Sequence, residues 1–161
     1  MSTRSNIGYL NPKTNMYHYI YAHWDGYMSH NGRILRDHYK TLHKVKMLVN
    51  LGSISILNKN VRPPKNPRRL LFCGKCSAPI AKHTFDEYDR NTVLAYHRDR
   101  NDSWDYCKPT ISKHFPIEQE WAYCFINGKW HYKTHNMSEW VQIPDGDLEM
   151  AQKQLYESLG Y

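Results

Sequence analysis

A short segment near the N-terminus combines side chains that could bind an anionic ligand. It reads His23-Trp24-Asp25-Gly26-Tyr27 and follows a stretch rich in Tyr and Ile, 16–22, that predicts a β-strand. Asn31-Gly32 predicts a helix start whose free N–H groups could face an anion, and Arg33 and Arg36 fall in its first turns. An indole for stacking, N–H groups for a phosphate and arginines for its charge suit a nucleotide or a nucleic-acid strand.

The same segment also fits a purely structural corner. In that interpretation Trp24 and Tyr27 fill the core, and Asp25 caps the turn. Buried aromatic side chains often lie beside capping residues in folded proteins. The sequence therefore leaves a ligand-binding corner and a structural corner both open.

A second polar cluster, Tyr96-His97-Arg98-Asp99-Arg100, lies later in the chain. A strand over 92–98 would put Arg98 and Arg100 on one face, because side chains alternate along a strand. The two arginines could bind a phosphate there, or they could pair with the acidic residues that follow. The predicted ligand-binding residues are Arg4, His23, Trp24, Asp25, Tyr27, Asn31, Arg33, Arg36, Arg98 and Arg100.

Both clusters also place a histidine near an aspartate, His23 with Asp25 and His97 with Asp99. General acid–base catalysis requires such groups within hydrogen-bond reach, so a small nuclease or phosphodiesterase is an alternative function. The sequence lacks the motifs of serine hydrolases, phosphate-binding loops, zinc proteases and zinc deaminases. No residue is therefore assigned a catalytic role.

The cysteines suggest a structural zinc site. Cys73 and Cys76 form a C-x-x-C pair, which lets two thiolates bind one metal ion at a tight turn. No secretory signal is visible, so we expect a reducing compartment in which disulfides are disfavoured. A pair of free thiols at a turn is the alternative. The predicted metal ligands are Cys73, Cys76, Cys107 and His114, with His83 and His97 as rivals for the fourth position.

The net charge of +7 is concentrated in the first part of the chain. Residues 1–69 contain 12 Lys or Arg and 2 Asp or Glu, a net charge of +10, whereas 70–161 contain 10 and 13, a net charge of −3. This asymmetry favours an anionic partner for the N-terminal part. It argues against a DNA mimic, which needs the opposite sign. The alternative is a solvated basic surface that aids solubility.

Hydrophobic patterning predicts hairpins and short helices. Strands over 5–10 and 16–22, joined by the turn Asn11-Pro12-Lys13-Thr14-Asn15, predict an N-terminal hairpin. An apolar stripe predicts a helix over 42–51. Asp147 can cap a C-terminal helix with apolar residues at helical spacing.

The strongest local signal is a second hairpin. Residues 120–126 and 129–134 alternate around Asn127-Gly128, the preferred residue pair for a type I′ turn. One face carries Trp121, Tyr123 and Phe125, and the other carries Ala122, Cys124 and Ile126. We therefore expect Cys124 to be a small buried hydrophobic residue.

Together these elements predict an α+β fold, an antiparallel sheet of hairpins with two to three helices on one side. The length fits a single domain over 1–161. Residues 58–69 contain three prolines and five basic residues and predict an extended connector. Residues 70–114 could form a small zinc-knuckle-like insert. No stretch approaches the ~18–20 apolar residues of a membrane span, so we expect no membrane partner.

Several segments resemble a family of short proteins encoded by bacteriophages and mobile elements. The residues that carry the resemblance are Met1-Ser2-Thr3-Arg4-Ser5, Tyr21-Ala22-His23-Trp24-Asp25-Gly26-Tyr27, His30-Asn31-Gly32, and more loosely Tyr96-His97-Arg98-Asp99-Arg100 and Trp121-Ala122-Tyr123. The family's more usual pattern differs at Ala22 and Met28, and the Cys73/Cys76 segment does not belong to it. The resemblance implies a phage accessory protein that acts in the bacterial cytoplasm, in host takeover or in evasion of host defence.

The sequence thus favours a non-catalytic binding protein that captures a phosphate-bearing ligand, either a nucleotide or a nucleic acid. The alternative is an inhibitor that binds a host protein through exposed Tyr and Trp side chains, since Tyr, Trp and Arg dominate protein interfaces. Association of the chain with itself is compatible with either function.

Overall fold

The computed structural model describes residues 2–62 and 91–160. The strands are β1 Ser5–Leu10, β2 Tyr17–Ala22, β3 Ile54–Ile56, β4 Leu94–Ala95, β5 Thr110–Ser112, β6 Trp121–Ile126, β7 Lys129–Thr134 and β8 Val141–Gln142. The helices are a π-helical turn Met28–Gly32, α1 Arg33–His38, α2 Leu42–Val49, α3 Tyr96–Arg100, α4 Trp104–Cys107 and α5 Leu148–Ser158. The proline-rich part of the predicted connector lies outside the described residues, as do Cys73, Cys76 and His83.

One mixed sheet holds these strands together. Its order is β4-β3-β2-β1-β6-β7-β8, and β5 lies off this path and pairs with the first three residues of β2. Most neighbours are antiparallel, so the predicted α+β class is confirmed. Two pairings are parallel, β1 with β6 and β2 with β3, which an all-hairpin sheet does not contain. Parallel neighbours need a long connection, and the chain between β2 and β3 supplies one through α1 and α2.

Both predicted hairpins are confirmed. In the first, β1 and β2 pair in the register Ser5 with Ala22, and Asn15 adopts the positive φ that the turn requires. In the second, Asn127 and Gly128 have φ of 51° and 79°, the signs of a type I′ turn. Tyr and Ile residues favour the strands, and the Asn and Gly residues permit the reversals.

The main core lies between one face of the sheet and the helices. It contains the aromatic face predicted for β6, with Trp121, Tyr123 and Phe125 all buried. The Trp130 indole donates to the carbonyl of Tyr39 at 2.8 Å, and the Tyr39 hydroxyl donates to the carbonyl of Asn58 at 2.6 Å. The polar atoms of these large side chains are thereby paired inside the core.

The opposite face of the sheet carries a smaller cluster. Phe115 stacks on Tyr19 at 4.3 Å between ring centroids, beside buried Cys124. Gly8 makes this possible, since a Cβ there would lie 2.5 Å from the Cβ of Tyr19 and 2.9 Å from Phe115 Cε2. Burial raises the pKa of Cys124, so its thiol stays protonated. The prediction that Cys124 is a small buried residue is confirmed.

The predicted strand over 92–98 is wrong. β4 ends at Ala95, and the chain turns into α3 at Tyr96. The turn forms because Asp99 Oδ2 accepts the backbone N–H of Ala95 at 2.7 Å, which satisfies a donor at the helix start. Arg98 and Arg100 therefore lie on a helix and do not project together from one strand face.

The predicted start of the first helix, near Asn31-Gly32, is displaced. The helix begins with the π-helical turn at Met28, before Asn31, and continues into α1. The helices over Leu42–Val49 and Leu148–Ser158 are confirmed, and Asp147 caps the latter by accepting from the N–H groups of Glu149 and Met150. Within residues 2–62 and 91–160, no helix combines the length and apolar character needed to cross a membrane.

We expect the protein to lose stability on acidification through His18, whose ring stacks on Tyr9 at 4.9 Å. Burial, and then the positive charge of Lys46, lower the pKa of His18. The folded protein therefore binds fewer protons than the unfolded chain, and its free energy of unfolding falls as the pH drops below about 6.5. Urea unfolding at about pH 7 and about pH 5 should show a larger loss in the native protein than in His18→Gln. Equal losses in the two proteins would contradict this role.

Candidate functional site

The end of β2 presents two polar side chains on one side of the chain. Tyr21 and His23 are two residues apart on extended backbone, so they project in the same direction. The Tyr21 hydroxyl and His23 Nδ1 share a hydrogen bond of 2.6 Å. The backbone here continues the sheet, because the N–H of His23 donates to the carbonyl of Ile54 at 3.2 Å. The pair is therefore held on rigid backbone.

Arg4 and Tyr96 both lie close to the Tyr21 hydroxyl. Burial raises the pKa of Tyr21, the nearby Arg4 guanidinium acts in the opposite direction through its charge and a hydrogen bond, and Tyr96 adds to the rise. Arg4 itself is exposed. A cation thus stands beside the phenol at the surface of the protein.

Tyr96 also contacts Ser55 and Arg100, which therefore lie near the same side chains. Burial raises the pKa of Tyr96, while a hydrogen bond from the Ser55 hydroxyl and the charge of Arg100 lower it. The Arg100 guanidinium lies over the Tyr96 ring, 5.3 Å from its centroid. We call these residues the Tyr21 cluster, which comprises Arg4, Tyr21, His23, Trp24, Ser55, Tyr96 and Arg100.

Trp24 supplies the exposed aromatic surface of the cluster. Its side chain is 44% exposed, and its indole meets the His23 ring edge-on with 4.9 Å between centroids. The backbone of Trp24 is fixed on both sides, since its N–H donates to the carbonyl of Ser55 and its carbonyl accepts from Asn31 Nδ2. The structural interpretation of the corner requires Trp24 to fill the core. The exposed indole shows that it does not. Tyr27, in contrast, packs half-buried against the core.

Asp25 and Gly26 form a sharp turn that locks onto the start of β1. Asp25 has a φ of 55°, and the N–H of Gly26 donates to the carbonyl of Thr3 at 2.8 Å. A Cβ on Gly26 would lie 2.9 Å from that carbonyl oxygen. The Tyr123 hydroxyl donates to the carbonyl of Gly26 at 2.6 Å from within the core. The turn is therefore fixed from two directions.

Asn31 is structural. It is fully buried, its Nδ2 donates to the carbonyl of Trp24 at 3.2 Å, and its Oδ1 lies 3.0 Å from His30 Nδ1. Its backbone N–H donates to the carbonyl of Asp25 at 3.3 Å. Asp25 thus contacts the π-helical turn through its backbone carbonyl. This N–H group is not directed at an external anion.

The structure does not bring the other predicted arginines to the cluster. Arg33 donates to the carbonyl of Ser29 at 3.2 Å. Arg36 pairs with Asp37 at 2.8 Å and donates to the carbonyls of Pro144 and Gly146, which ties α1 to the loop before α5. Arg98 pairs with Asp99 at 2.9 Å and donates to the carbonyls of Val61 and Val93. These three side chains hold the protein's own backbone.

The two histidine–aspartate pairs have other partners in the fold. His97 Nδ1 lies 2.8 Å from the carbonyl of Asp102, while Asp99 binds Arg98 and caps α3. Residues two apart on a helix do not face each other, so His97 and Asp99 point apart. His23 binds Tyr21, as described above.

The described part of the predicted zinc site is spread over two environments. Cys107 is buried and its pKa is raised by burial and by the charge of Asp102, whereas His114 is exposed. Among residues 2–62 and 91–160, no group of three or more potential metal ligands comes together. The prediction centres on Cys73 and Cys76, which lie outside those residues, so it stays a prediction.

Three residues of the cluster are not among the predicted ligand-binding residues, namely Tyr21, Ser55 and Tyr96. Tyr21 could have been found, because strand alternation puts it beside His23. Ser55 and Tyr96 could not, because their approach depends on the parallel pairing of β2 with β3 and on the turn into α3. Comparisons with protein-family models, with curated proteins and with solved structures found no match for this chain.

We expect Asn31→Asp to destabilise the corner that carries Trp24. The substitution keeps the shape of the side chain but removes the donor to the carbonyl of Trp24 and buries a carboxylate. An unpaired buried polar group costs about 1–3 kcal/mol, and more when it is charged. Urea unfolding should therefore show a loss of about 2 kcal/mol or more. The matched amide-to-carboxyl change Gln154→Glu, at an exposed position of α5, should shift stability by no more than about 0.5 kcal/mol.

Proposed function

We propose that this protein is a non-catalytic binding protein that captures a phosphate-bearing ligand, a nucleotide or a nucleic acid, at the Tyr21 cluster. The observation that carries the proposal is the position of the exposed Arg4 beside the Tyr21–His23 pair, next to an indole that is 44% exposed on fixed backbone. A cation, hydrogen-bonding groups and a ring surface are the three components that bind a nucleotide.

Each side chain has a distinct part in the proposed binding. The Arg4 guanidinium would pair with phosphate oxygens through charge-assisted hydrogen bonds. His23 Nδ1 is engaged by the Tyr21 hydroxyl. When that hydroxyl donates, the ring proton sits on Nε2, which becomes a second donor for the phosphate. Trp24 offers its exposed ring surface to a base. None of these roles requires a nucleophile or a metal.

The charge distribution supports the same ligand class. Arg4 belongs to residues 1–69, the part of the chain with the large excess of Lys and Arg. A positive field around the site raises the local concentration of an anionic ligand and speeds its association. The resemblance to phage accessory proteins adds a biological setting, in which capture of a nucleotide signal or of nucleic acid serves host takeover or evasion of defence inside a bacterial cell.

Replacement of Arg4 tests the proposal directly. Isothermal titration calorimetry should detect binding of at least one of three probes, namely ATP, a cyclic dinucleotide and a single-stranded oligonucleotide. Arg4→Gln should weaken that binding about tenfold or more, because a hydrogen bond to a charged group contributes about 1.5–3 kcal/mol. Arg33→Gln removes the same charge from an exposed arginine elsewhere and should change the affinity less than about twofold. Heat from none of the probes, or equal losses in the two variants, would refute the site.

Salt dependence separates the two forms of the ligand. If the oligonucleotide is the ligand that binds, its affinity should fall steeply between about 50 mM and about 200 mM salt, because phosphate contacts release counterions. Arg4→Gln should then reduce the magnitude of the slope of log affinity against log salt by about 1, because one phosphate contact is lost. An oligonucleotide affinity that does not change with salt concentration would contradict a nucleic-acid function. The nucleotide function would then be tested by the titrations with ATP and the cyclic dinucleotide alone.

A second candidate function is binding of a host protein. The segment 104–111 exposes large apolar side chains, with Tyr106 90% exposed and Ile111 59% exposed beside the exposed Trp104. Tyr and Trp are the residue types that contribute most to protein interfaces. This candidate predicts a stoichiometric protein partner in a pull-down from host lysate, lost in Tyr106→Ala and retained in Arg4→Gln.

A further inference from the structure

A groove crosses one end of the sheet, between the connection from α1 to α2 and the turn of the β6–β7 hairpin. It consists of two adjoining cavities of about 340 Å³ and about 200 Å³, which share Lys40, Phe125 and Gly128 as lining residues. The larger cavity continues to β8 and the loop after it, where it is lined by Gln142, Ile143 and Asp145. We call the two cavities together the Lys40 groove.

The smaller cavity of the groove has accessible apolar walls. Leu10, Pro12 and Leu42 line it, and Pro12 is exposed while Leu10 and Leu42 are half-buried. Phe125 also lines it but is only 4% exposed, so it contributes little accessible surface. A large apolar side chain of another molecule would remove these walls from water, which is favourable.

The part of the groove next to this cavity is basic. Lys40 and Lys129 are exposed, and neither side chain forms an ion pair within residues 2–62 and 91–160. Arg36 and Asp37 also line the groove, and they pair with each other at 2.8 Å. The two lysine ammonium groups therefore face one remaining carboxylate, that of Asp145. This excess of positive charge favours an acidic occupant.

The protein exposes a segment with the complementary properties. Residues Asp102-Ser103-Trp104-Asp105-Tyr106 contain two exposed carboxylates, and Tyr106 is 90% exposed. The backbone here is fixed, because the Tyr106 N–H donates to the carbonyl of Ser103 at 3.1 Å and the carbonyl of the buried Cys107 accepts from Ser53 at 2.7 Å. A segment that is already ordered loses little conformational entropy when it binds. We call it the acidic–aromatic segment.

The segment and the groove lie at opposite ends of the β1–β2 hairpin. Trp104 lies against Gly52, two residues before β3, and β3 pairs with Ala22 at the end of β2. Leu10, which lines the groove, is at the other end of the hairpin, opposite Tyr17. The segment lines neither cavity of its own chain. It is therefore available to the groove of another copy.

We propose that this protein associates with itself through a contact in which the acidic–aromatic segment of one copy binds in the Lys40 groove of another. The Tyr106 ring occupies the apolar cavity, and the Asp105 carboxylate lies close to Lys40 and Lys129. This inference does not rest on the proposed function of the Tyr21 cluster, since the contact uses none of its residues.

The proposed contact is weak. One short segment in a groove buries less surface than the roughly 1,200–2,000 Å² of a stable interface. The net charge of +7 on each copy also opposes association at long range. We therefore expect a dissociation constant on the order of 10–100 μM.

Sedimentation velocity of the purified full chain, from about 5 μM to about 500 μM, brackets this constant. The native protein should sediment faster as its concentration rises. Tyr106→Ala should weaken the association about tenfold or more, because a Tyr in the middle of a contact contributes strongly. Met150→Ala is the matched control. It removes another exposed apolar side chain, on α5, and should change the association less than about twofold.

Reversal of the two groove charges tests the basic part of the contact. The double variant Lys40→Glu, Lys129→Glu should weaken the association about tenfold or more, because it replaces attraction to Asp105 by repulsion. Its control is Lys59→Glu, Lys153→Glu, which has the same net charge and changes two exposed lysines that line neither cavity. The control should associate at least as well as the native protein does.

A mixture of the two deficient variants separates this contact from non-specific association. Tyr106→Ala keeps an intact groove, and the variant with both groove lysines changed keeps an intact segment, so one contact can form between them. An equimolar mixture near the native dissociation constant should therefore contain dimers, although each variant alone stays monomeric.

Three results would overturn the proposal. The native protein could stay monomeric over the whole concentration range, the control variants could lose association as the test variants do, or the mixture could stay monomeric. Because the purified protein is measured alone, association here is distinct from binding of a host protein through Tyr106.

Discussion

Gly26 is held by two hydrogen bonds from opposite sides, and the rest of the N-terminal corner depends on them. Its N–H donates to the carbonyl of Thr3 beside β1, and its carbonyl accepts from the Tyr123 hydroxyl inside the core. β1 is also the central strand, paired with β2 on one side and β6 on the other. The position of Trp24 relative to the sheet is therefore set by contacts with the start of β1 and with β6. Any residue with a Cβ would disturb this arrangement, because the space beside Gly26 is already filled by Thr3, Arg4 and Ser5.

Arginine side chains illustrate why a ligand site is harder to predict than a fold. A guanidinium has five N–H donors, and it binds whichever acceptors lie within reach. Arg36 and Arg98 find backbone carbonyls more than thirty residues away in the chain, so no local pattern reveals their partners. Arg4 precedes the first strand at the surface, where it meets Tyr21. The difference between a structural arginine and one that faces a ligand is therefore set by long-range packing.

The elements that sequence analysis predicted well are those controlled by neighbouring residues. The Asn127-Gly128 turn and the Asp147 cap follow from backbone conformations and donors within a few positions. The parallel pairing of β1 with β6 joins segments more than a hundred residues apart, and alternation alone does not choose a partner strand. The strand predicted over 92–98 was wrong for a different reason. The hydrogen bond from the Ala95 N–H to Asp99 that stabilises the turn into α3 exists only in the turned chain, and strand alternation does not reveal it. The exposure of Trp24 likewise depends on packing between distant segments, so the sequence left a buried and an exposed side chain both open.

The outermost strands of the sheet are very short. β4 at one end and β8 at the other each contribute two residues, Leu94–Ala95 and Val141–Gln142. A long unpaired strand would present a row of N–H and C=O groups that can recruit another chain into a growing aggregate. Among residues 2–62 and 91–160, the two ends of the sheet therefore present edges of two residues each, and β5 beside β2 presents one of three. Edges this short limit the pairing of the Tyr-, Ile- and Trp-rich central strands with another chain.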